Sequence, residues 1–508
     1  MTMTSRSPFS VLIALTSASL SLAACSAVGD EDRARVIVIE DADPVIKPIG
    51  INLNHASAIA RSAIAKGLVG FDEQGRVVPS LAARWIVTDD GLSYIFRLND
   101  VQWDDGRPVT AEAIATLLQE RIAELEQSRL GPDLQNIDEI VSMTGRVIEI
   151  RLTTAHPNFL QLIAQPELGL FRSGNGAGPM RQLEEGDAYT LGVMPLQEPD
   201  AEGEVGEEEE EQAVDEEAPE DPRRIILRSE NAAKAVARYT AGYTDVILNG
   251  KFHHLPLVEE AGISTNDLRL DPVAGLFGFQ FLRAEGFWAV PKNREILSMA
   301  IDRPALLTSF PNVTAWQSRQ KIVPEALDVD GINARPDWSS MTIQARQAYA
   351  REHVSRWEAL EGPVSPLIIS LPDAAGADIL FLRVQSDLRR VGLNAIQVGP
   401  DQAADIRLID EIAAYDSTRW FLYRLTCTAM SVCLNDADAK IAQAEAAINL
   451  QAKARLYAEA EVMLVSHYSF IPLAVPVRWS IARPNQRGLA VNPRGWHPLN
   501  LLVGVPIS

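Results

Sequence analysis

The sequence predicts an α/β fold with lobes built on mixed sheet. Three observations carry this. Short apolar runs of strand character recur at 36–39, 225–227, 245–248 and 367–369. Amphipathic helical stretches lie between them without a strict strand–helix repeat. Finally, 508 residues, 47% hydrophobic and 22% charged, allow about three domains with real cores.

The elements follow in chain order. Residues 1–7 hold Arg6 and no acid, 8–22 are apolar or small, and Leu22-Ala23-Ala24-Cys25 follows. This is the pattern of a secretory signal over 1–24, too short for a bilayer span. Residues 26–33 are small and charged, as a tether over 25–35 would be. After the strand at 36–39, the alanine-rich stretch 58–68 suits a helix ended at Gly67. Around the turn Thr88-Asp89-Asp90-Gly91, Leu92, Tyr94, Phe96 and Leu98 alternate with Ser93, Ile95 and Arg97, which predicts a β-hairpin. Thr110 caps a helix with Ile114, Leu117, Leu118, Ile122 and Leu125 at helical period. Ile148, Ile150 and Leu152 mark another strand.

The formal charge of -22 repels nucleic-acid phosphates and argues against a DNA- or RNA-binding role. Much of it is local. Residues 184–221 hold 17 acids and no base, leaving 51 acids against 46 bases elsewhere. That segment, with five glutamates at 207–211, has too little apolar surface to offset ordering entropy and is expected to be a disordered surface loop. Beyond it, a helix is expected over 232–239, one helix over 293–307 bent or ended by Pro304, another over 378–391 stopped by Gly392, and a last one through Leu456, Tyr457, Ala460, Met463 and Leu464.

Cys427 and Cys433, six residues apart in an exported chain, are expected to form a disulfide. A Cys-x5-Cys spacing lacks the second ligand pair of a structural zinc site. Enzyme motifs are missing or incomplete. Ser318-Arg319-Gln320-Lys321 fits Ser-x-x-Lys without its partner motifs, and Gly174 to Pro179 is glycine-rich but lacks the phosphate-loop spacing and lysine. His253-His254 is an adjacent pair whose side chains are expected to diverge, a poor chelate. No enzyme activity, cofactor or metal site is therefore expected.

Leu22-Ala23-Ala24-Cys25 resembles the lipobox of bacterial lipoproteins, which implies a diacylglycerol on Cys25. Further on, Pro79-Ser80-Leu81-Ala82, Trp85, Asp90-Gly91, Tyr94 to Leu98 and Asp105-Gly106-Arg107-Pro108-Val109-Thr110-Ala111-Glu112 keep a known order. So do Gly176-Ala177-Gly178-Pro179, Ala241-Gly242-Tyr243-Thr244-Asp245, Arg294 with Ala300-Ile301-Asp302-Arg303, and Ala454-Arg455-Leu456-Tyr457 with Ile471-Pro472-Leu473. Over roughly 36–480 the chain resembles the peptide/nickel-binding family (family 5, cluster C) of bacterial extracytoplasmic solute-binding proteins. The resemblance implies a type II periplasmic-binding-protein-like α/β fold of two ligand-clasping lobes of mixed sheet plus an extra lobe. Lobe I would collect 36–70, 150–283 and 480–508, lobe II 71–149, and lobe III 284–479, with hinge closure of lobes I and III on the ligand.

By the same resemblance the chain is a monomeric, lipid-anchored binding protein on the periplasmic face of a bacterial membrane. It would capture a small solute, most simply a peptide, and pass it to the permease and ATPase subunits of an ABC importer. The alternative is a binding lipoprotein without a permease, acting as a sensor or envelope-interaction module. Peptide-binding members place the aspartate of a Trp-x-Ala-Asp-Tyr stretch against the ligand's α-amine. Here the matching run is Glu411-Ile412-Ala413-Ala414-Tyr415, with alanine where the aspartate would stand. Either Glu411 or Asp410 supplies the charge, the ligand has no free amine there, or the register differs. Tyr415 and Trp420 complete the expected ligand wall, Phe421 and Tyr423 are candidates for wall or core, and His55 falls where lobe I approaches the ligand. Since the family includes nickel and haem binders, a metal complex also stays open as the ligand.

Overall fold

The computed structural model describes residues 32–42, 44–183, 188–193, 223–310, 313, 316–327 and 334–506. The expected signal segment, Cys25 and most of the acidic segment lie outside the described residues.

Two mixed sheets organise the molecule. The larger has seven strands in the order Leu268–Pro272, Val477–Ala482, Val246–Lys251, Arg33–Ile39, Arg224–Glu230, Tyr189–Val193, Met180–Leu183. Its central strand, Arg33–Ile39, pairs in parallel with both neighbours and buries Val36, Ile37, Val38 and Ile39, as a continuous β-branched run requires. The second sheet has five strands: Ala395–Val398, Leu367–Ser370, Ile406–Ile412, Gly275–Phe281 and Phe470–Ala474. A smaller unit is a four-stranded antiparallel sheet, Ala82–Val87, Ser93–Leu98, Val147–Leu152 and Ile137–Thr144, packed on the helix Ala111–Glu124.

Local chemistry explains the elements. In the hairpin, Gly91 adopts φ +70° and its N–H donates to the Thr88 carbonyl at 2.8 Å, while Thr88 Oγ1 meets Asp90 Oδ1 at 2.7 Å. Thr110 caps the following helix by accepting from the Ala113 N–H. Gly178 is needed for contact: a Cβ there would lie 2.4 Å from the Ala63 carbonyl oxygen. Its own N–H donates to the Ile64 carbonyl at 3.1 Å, closing the end of the first helix.

Several expectations need correction. The first helix is His55–Ile64 rather than 58–68, because Asn54 caps it by accepting from the Ser57 N–H. The single helix over 293–307 is two, Pro291–Ala300 and Arg303–Leu307. Asp302 caps the second, whose first turn holds Pro304, where a missing N–H costs nothing. Within the acidic segment, Tyr189–Val193 is a strand between two others, since 188–193 contains no acid and its residues pair well.

The lobe limits shift as well. The strand Gly275–Phe281, expected with lobe I, lies in the five-stranded sheet, and Val477–Ala482, divided by the expected limit between lobes III and I, lies in the seven-stranded one. The chain changes sheets at 273–274 and again at 475–476. Each crossing is two residues long, the geometry of a hinge.

Candidate functional site

A cavity of about 260 Å³ opens where three parts of the chain meet. The first helix and its approach bring Leu53, His55 and Ala58, the smaller unit brings Arg129 and Leu130, and the end of the strand Ile406–Ile412 with the helix Thr418–Tyr423 brings Glu411 to Ala414, Trp420 and Arg424. Arg494 and Trp496 close it from the C-terminal segment. A larger cavity, about 410 Å³, lies elsewhere against Trp103, Phe171 and Arg181, and holds none of the predicted ligand residues.

Glu411 reaches the cavity because it is near the end of a strand paired with Leu276, at the point where the chain leaves the sheet. Its carboxylate lies 3.7 Å from Arg129 and 4.0 Å from Arg424, within ion-pair range but beyond hydrogen bonding. Trp420 forms a buried wall, only 2% exposed, and Arg424 Cζ sits 5.2 Å over its ring. The Trp420 indole N–H is buried without a hydrogen-bond partner, and so is His55 Nε2. The His55 ring stands edge-on to Trp496 at 5.7 Å. Burial, reinforced by Arg478, His497 and Lys251, pushes the imidazole down to about 3, so it is neutral at pH 7.

The other predicted residues are engaged elsewhere. Asp410, on the opposite face of the strand from Glu411, pairs with Arg478 at 2.8 Å and does not line the cavity. Tyr415 is fully buried; its hydroxyl donates to Asp133 Oδ1 at 2.7 Å and accepts from Arg419 at 3.2 Å. It therefore joins the smaller unit to the 418–423 helix and presents nothing to a ligand. Phe421 is core, and Tyr423 lies under the Arg419 guanidinium at 5.1 Å. Ala414 does line the cavity, and its carbonyl accepts from Gln165 at 2.6 Å and from Arg494 at 3.2 Å. Asp416, two residues on, is bound to Arg494 at 2.7 Å. Glu411 is the one carboxylate of this segment that lines the cavity, and it is shared between Arg129 and Arg424. Cys427 and Cys433 are bridged, with S–S 2.11 Å.

Sequence reasoning missed Arg129, Arg424, Arg494 and Trp496. Arg129 and Arg424 are almost three hundred positions apart, and no spacing rule connects them.

The histidine pair also needs correction. His253 and His254 converge, with ring centroids 4.0 Å apart and Nε2 atoms 3.4 and 2.8 Å from Asp41 Oδ1. The short helical turn Phe252–His254 swings both rings to one side. Lys251 Nζ holds the other Asp41 oxygen at 2.6 Å, and the Lys251 backbone N–H points at His254 Nδ1 at 3.3 Å. That places the proton on His254 Nε2, where it donates to Asp41. The cluster is thus a clamp on one carboxylate, and a cation bound to both Nε2 atoms would require the proton to leave His254 Nε2.

Comparison with known proteins agrees with the motif order. Residues 76–202 match the family described as "Bacterial extracellular solute-binding proteins, family 5 Middle". A stretch of 72 residues, 14% of this chain, is 42% identical to the probable deoxycholate-binding periplasmic protein of Escherichia coli K12, covering 13% of that protein. Another, of 109 residues, is 31% identical to the nickel-binding periplasmic protein of the same strain and covers 21% of each chain. The matched segments thus span about a fifth or less of these relatives' lengths. Over nearly the whole molecule the fold is that of the Escherichia coli murein tripeptide binding protein: TM-score 0.71, 17% identity, 92% of this chain and 97% of that one. The resemblance to the peptide/nickel-binding family and the α/β periplasmic-binding-protein fold expected from it are both borne out.

Proposed function

We propose that this chain, a solute-binding protein of the family 5 type by motif order, matched segment and fold, captures a small solute in the cavity between its sheets and delivers it to an ABC importer. The observation that carries this reading is the composition of that cavity. Its walls come from segments on both sides of two short chain crossings, so closing the hinge would bring them together on a ligand. The names of relatives point to deoxycholate, nickel and a murein tripeptide as solutes of such proteins, and a small solute is the common denominator proposed here. In the same reading, diacylglycerol on Cys25 holds the protein at the periplasmic face of the membrane, and no described helix is long and apolar enough to cross one.

The test is retention. Protein refolded free of ligand is dialysed against a small-molecule extract of the source cells, and bound solutes are released and identified by mass spectrometry. A stoichiometric solute, lost when Ala414→Trp fills the cavity, is the expected result. An empty protein, or a solute retained equally by the variant, would overturn the reading. For the anchor, Cys25→Ala should move the protein from the membrane to the soluble fraction, and unchanged partitioning would contradict lipidation.

A further inference from the structure

We propose that the cavity selects a monoanionic solute, whose carboxylate docks on the Arg424 guanidinium and the Trp420 indole N–H, and that it rejects free amines. This rests on the solute-binding reading above and adds the ligand's chemical class.

The argument begins with unmet donors. Arg424, with its side chain 23% exposed, has no hydrogen-bond acceptor among the described residues; its nearest carboxylate oxygen, on Glu411, is 4.0 Å away. Trp420 Nε1 is an orphaned donor in the same wall. A largely buried guanidinium with no carboxylate on its fork is incompletely matched, and a carboxylate accepting two parallel N–H bonds is the group that fits that fork. The ring of Trp420 under Arg424 keeps the fork in place.

Charge gives the sign independently. Arg494 is matched by Asp416 at 2.7 Å. Glu167, also on the wall, is held up by burial, and Arg61 and Arg121 are the cations facing it. What remains is Arg129 and Arg424 against Glu411 alone, a surplus of one positive charge. A ligand with one carboxylate neutralises that surplus. An ammonium would enter beside two guanidinium groups, with Ala414 offering no counter-charge and Glu411 already shared.

Calorimetry on the refolded, ligand-free full chain tests this with two sets that share a carbon skeleton and differ in the head group and its charge: hexanoate, hexanamide and hexylamine; and indole-3-acetate, indole-3-acetamide and tryptamine. At least one acid should bind tenfold or more tighter than its amide, with the amine weaker still. Arg424→Gln should bring that acid to the level of the amide without moving amide affinity more than twofold, and Arg424→Lys should fall between. Thermal melts confirm that each variant is folded. Amides or amines binding as well as the acids, an acid preference that survives Arg424→Gln, or no binding by either acid would each overturn the proposal. A cationic or neutral solute recovered in the extract experiment would sink this assignment alone and leave the solute-binding reading standing, whereas an empty protein there would remove both.

Discussion

Asp410 Oδ1 lies 2.8 Å from Arg478 Nη1, and that pair fastens the five-stranded sheet to the seven-stranded one beside the hinge. Arg478 also donates to the Asp410 carbonyl at 3.3 Å, so a single side chain holds the strand that carries Glu411 to the cavity. Both side chains are nearly buried, 7% and 13% exposed. Asp410 thus does structural work one residue away from Glu411 on the cavity wall, which is why a short acidic motif cannot be divided into site and scaffold by reading alone.

Removing one member of this pair leaves its partner buried and uncompensated. Asp410→Ala should therefore lower unfolding free energy by roughly 3 kcal/mol, measured by urea denaturation. Affinity for an acid probe should change less than threefold. A loss under about 0.5 kcal/mol would mean that the pair is open in solution.

Tyr415 makes the second such claim. Tyr415→Phe removes the hydroxyl that bonds Asp133 but leaves the Arg419–Asp133 ion pair in place. A loss of about 1–2 kcal/mol in stability, with solute affinity unchanged, is expected. A tenfold loss of affinity with unchanged stability would return Tyr415 to the ligand wall.

These two residues show how far the sequence could be read. The hairpin at Gly91, the Thr110 cap and the buried strand at 36–39 are fixed within a few residues, so pattern and turn chemistry reveal them. Glu411 and Trp420, singled out from the order of residues at the end of the strand Ile406–Ile412 and just beyond it, both lie on the cavity wall. The cationic side of the site was not legible. Arg129 belongs to the smaller unit and Arg424 follows the 418–423 helix, and only the packing of those bodies makes them neighbours. The direction of His253 and His254 was misjudged because it depends on a short helical turn, not on their adjacency.

A buried histidine should make stability pH-dependent. His156 lies between Phe159 and Tyr415 with neither ring nitrogen bonded, and burial, with Lys453 nearby, pushes it down to about 4. The unfolded chain takes up its proton below about 6.5, while the folded chain stays neutral until about 4. Its stabilising contribution is therefore present above pH 6.5 and is lost as pH falls through that window. His156→Phe keeps the aromatic packing and removes the titration. Between pH 7 and pH 5 the variant should lose roughly 2 kcal/mol less than the wild type. His55, His254 and His467, also held neutral by burial, titrate alike in both proteins and cancel. Parallel pH profiles would show that His156 is protonated in the fold.

The last prediction reverses the sign of the cavity. Ala414 lies on its wall, at the position that the motif order matches to the aspartate of peptide-binding family members. Ala414→Asp adds one negative charge near Arg494, whose guanidinium reaches 3.2 Å from the Ala414 carbonyl and is already bound to Asp416. The new carboxylate would compete with Asp416 for Arg494 and remove the positive surplus left by Arg129 and Arg424. Acid probes should then bind at least tenfold more weakly, about 1.4 kcal/mol, as expected for one nearby like charge in a partly buried site. Peptides with free amino termini should gain relative to their acetylated forms, because only the former bring an ammonium for the new carboxylate to meet. Calorimetry on matched free and acetylated tripeptides reads the second effect, and indole-3-acetate the first. If Ala414→Asp leaves indole-3-acetate affinity intact, the cavity's charge does not set its selectivity. If wild-type protein already binds free-amine peptides tightly and Glu411→Ala abolishes that binding, Glu411 is the amine anchor and the surplus cations serve the peptide's other end.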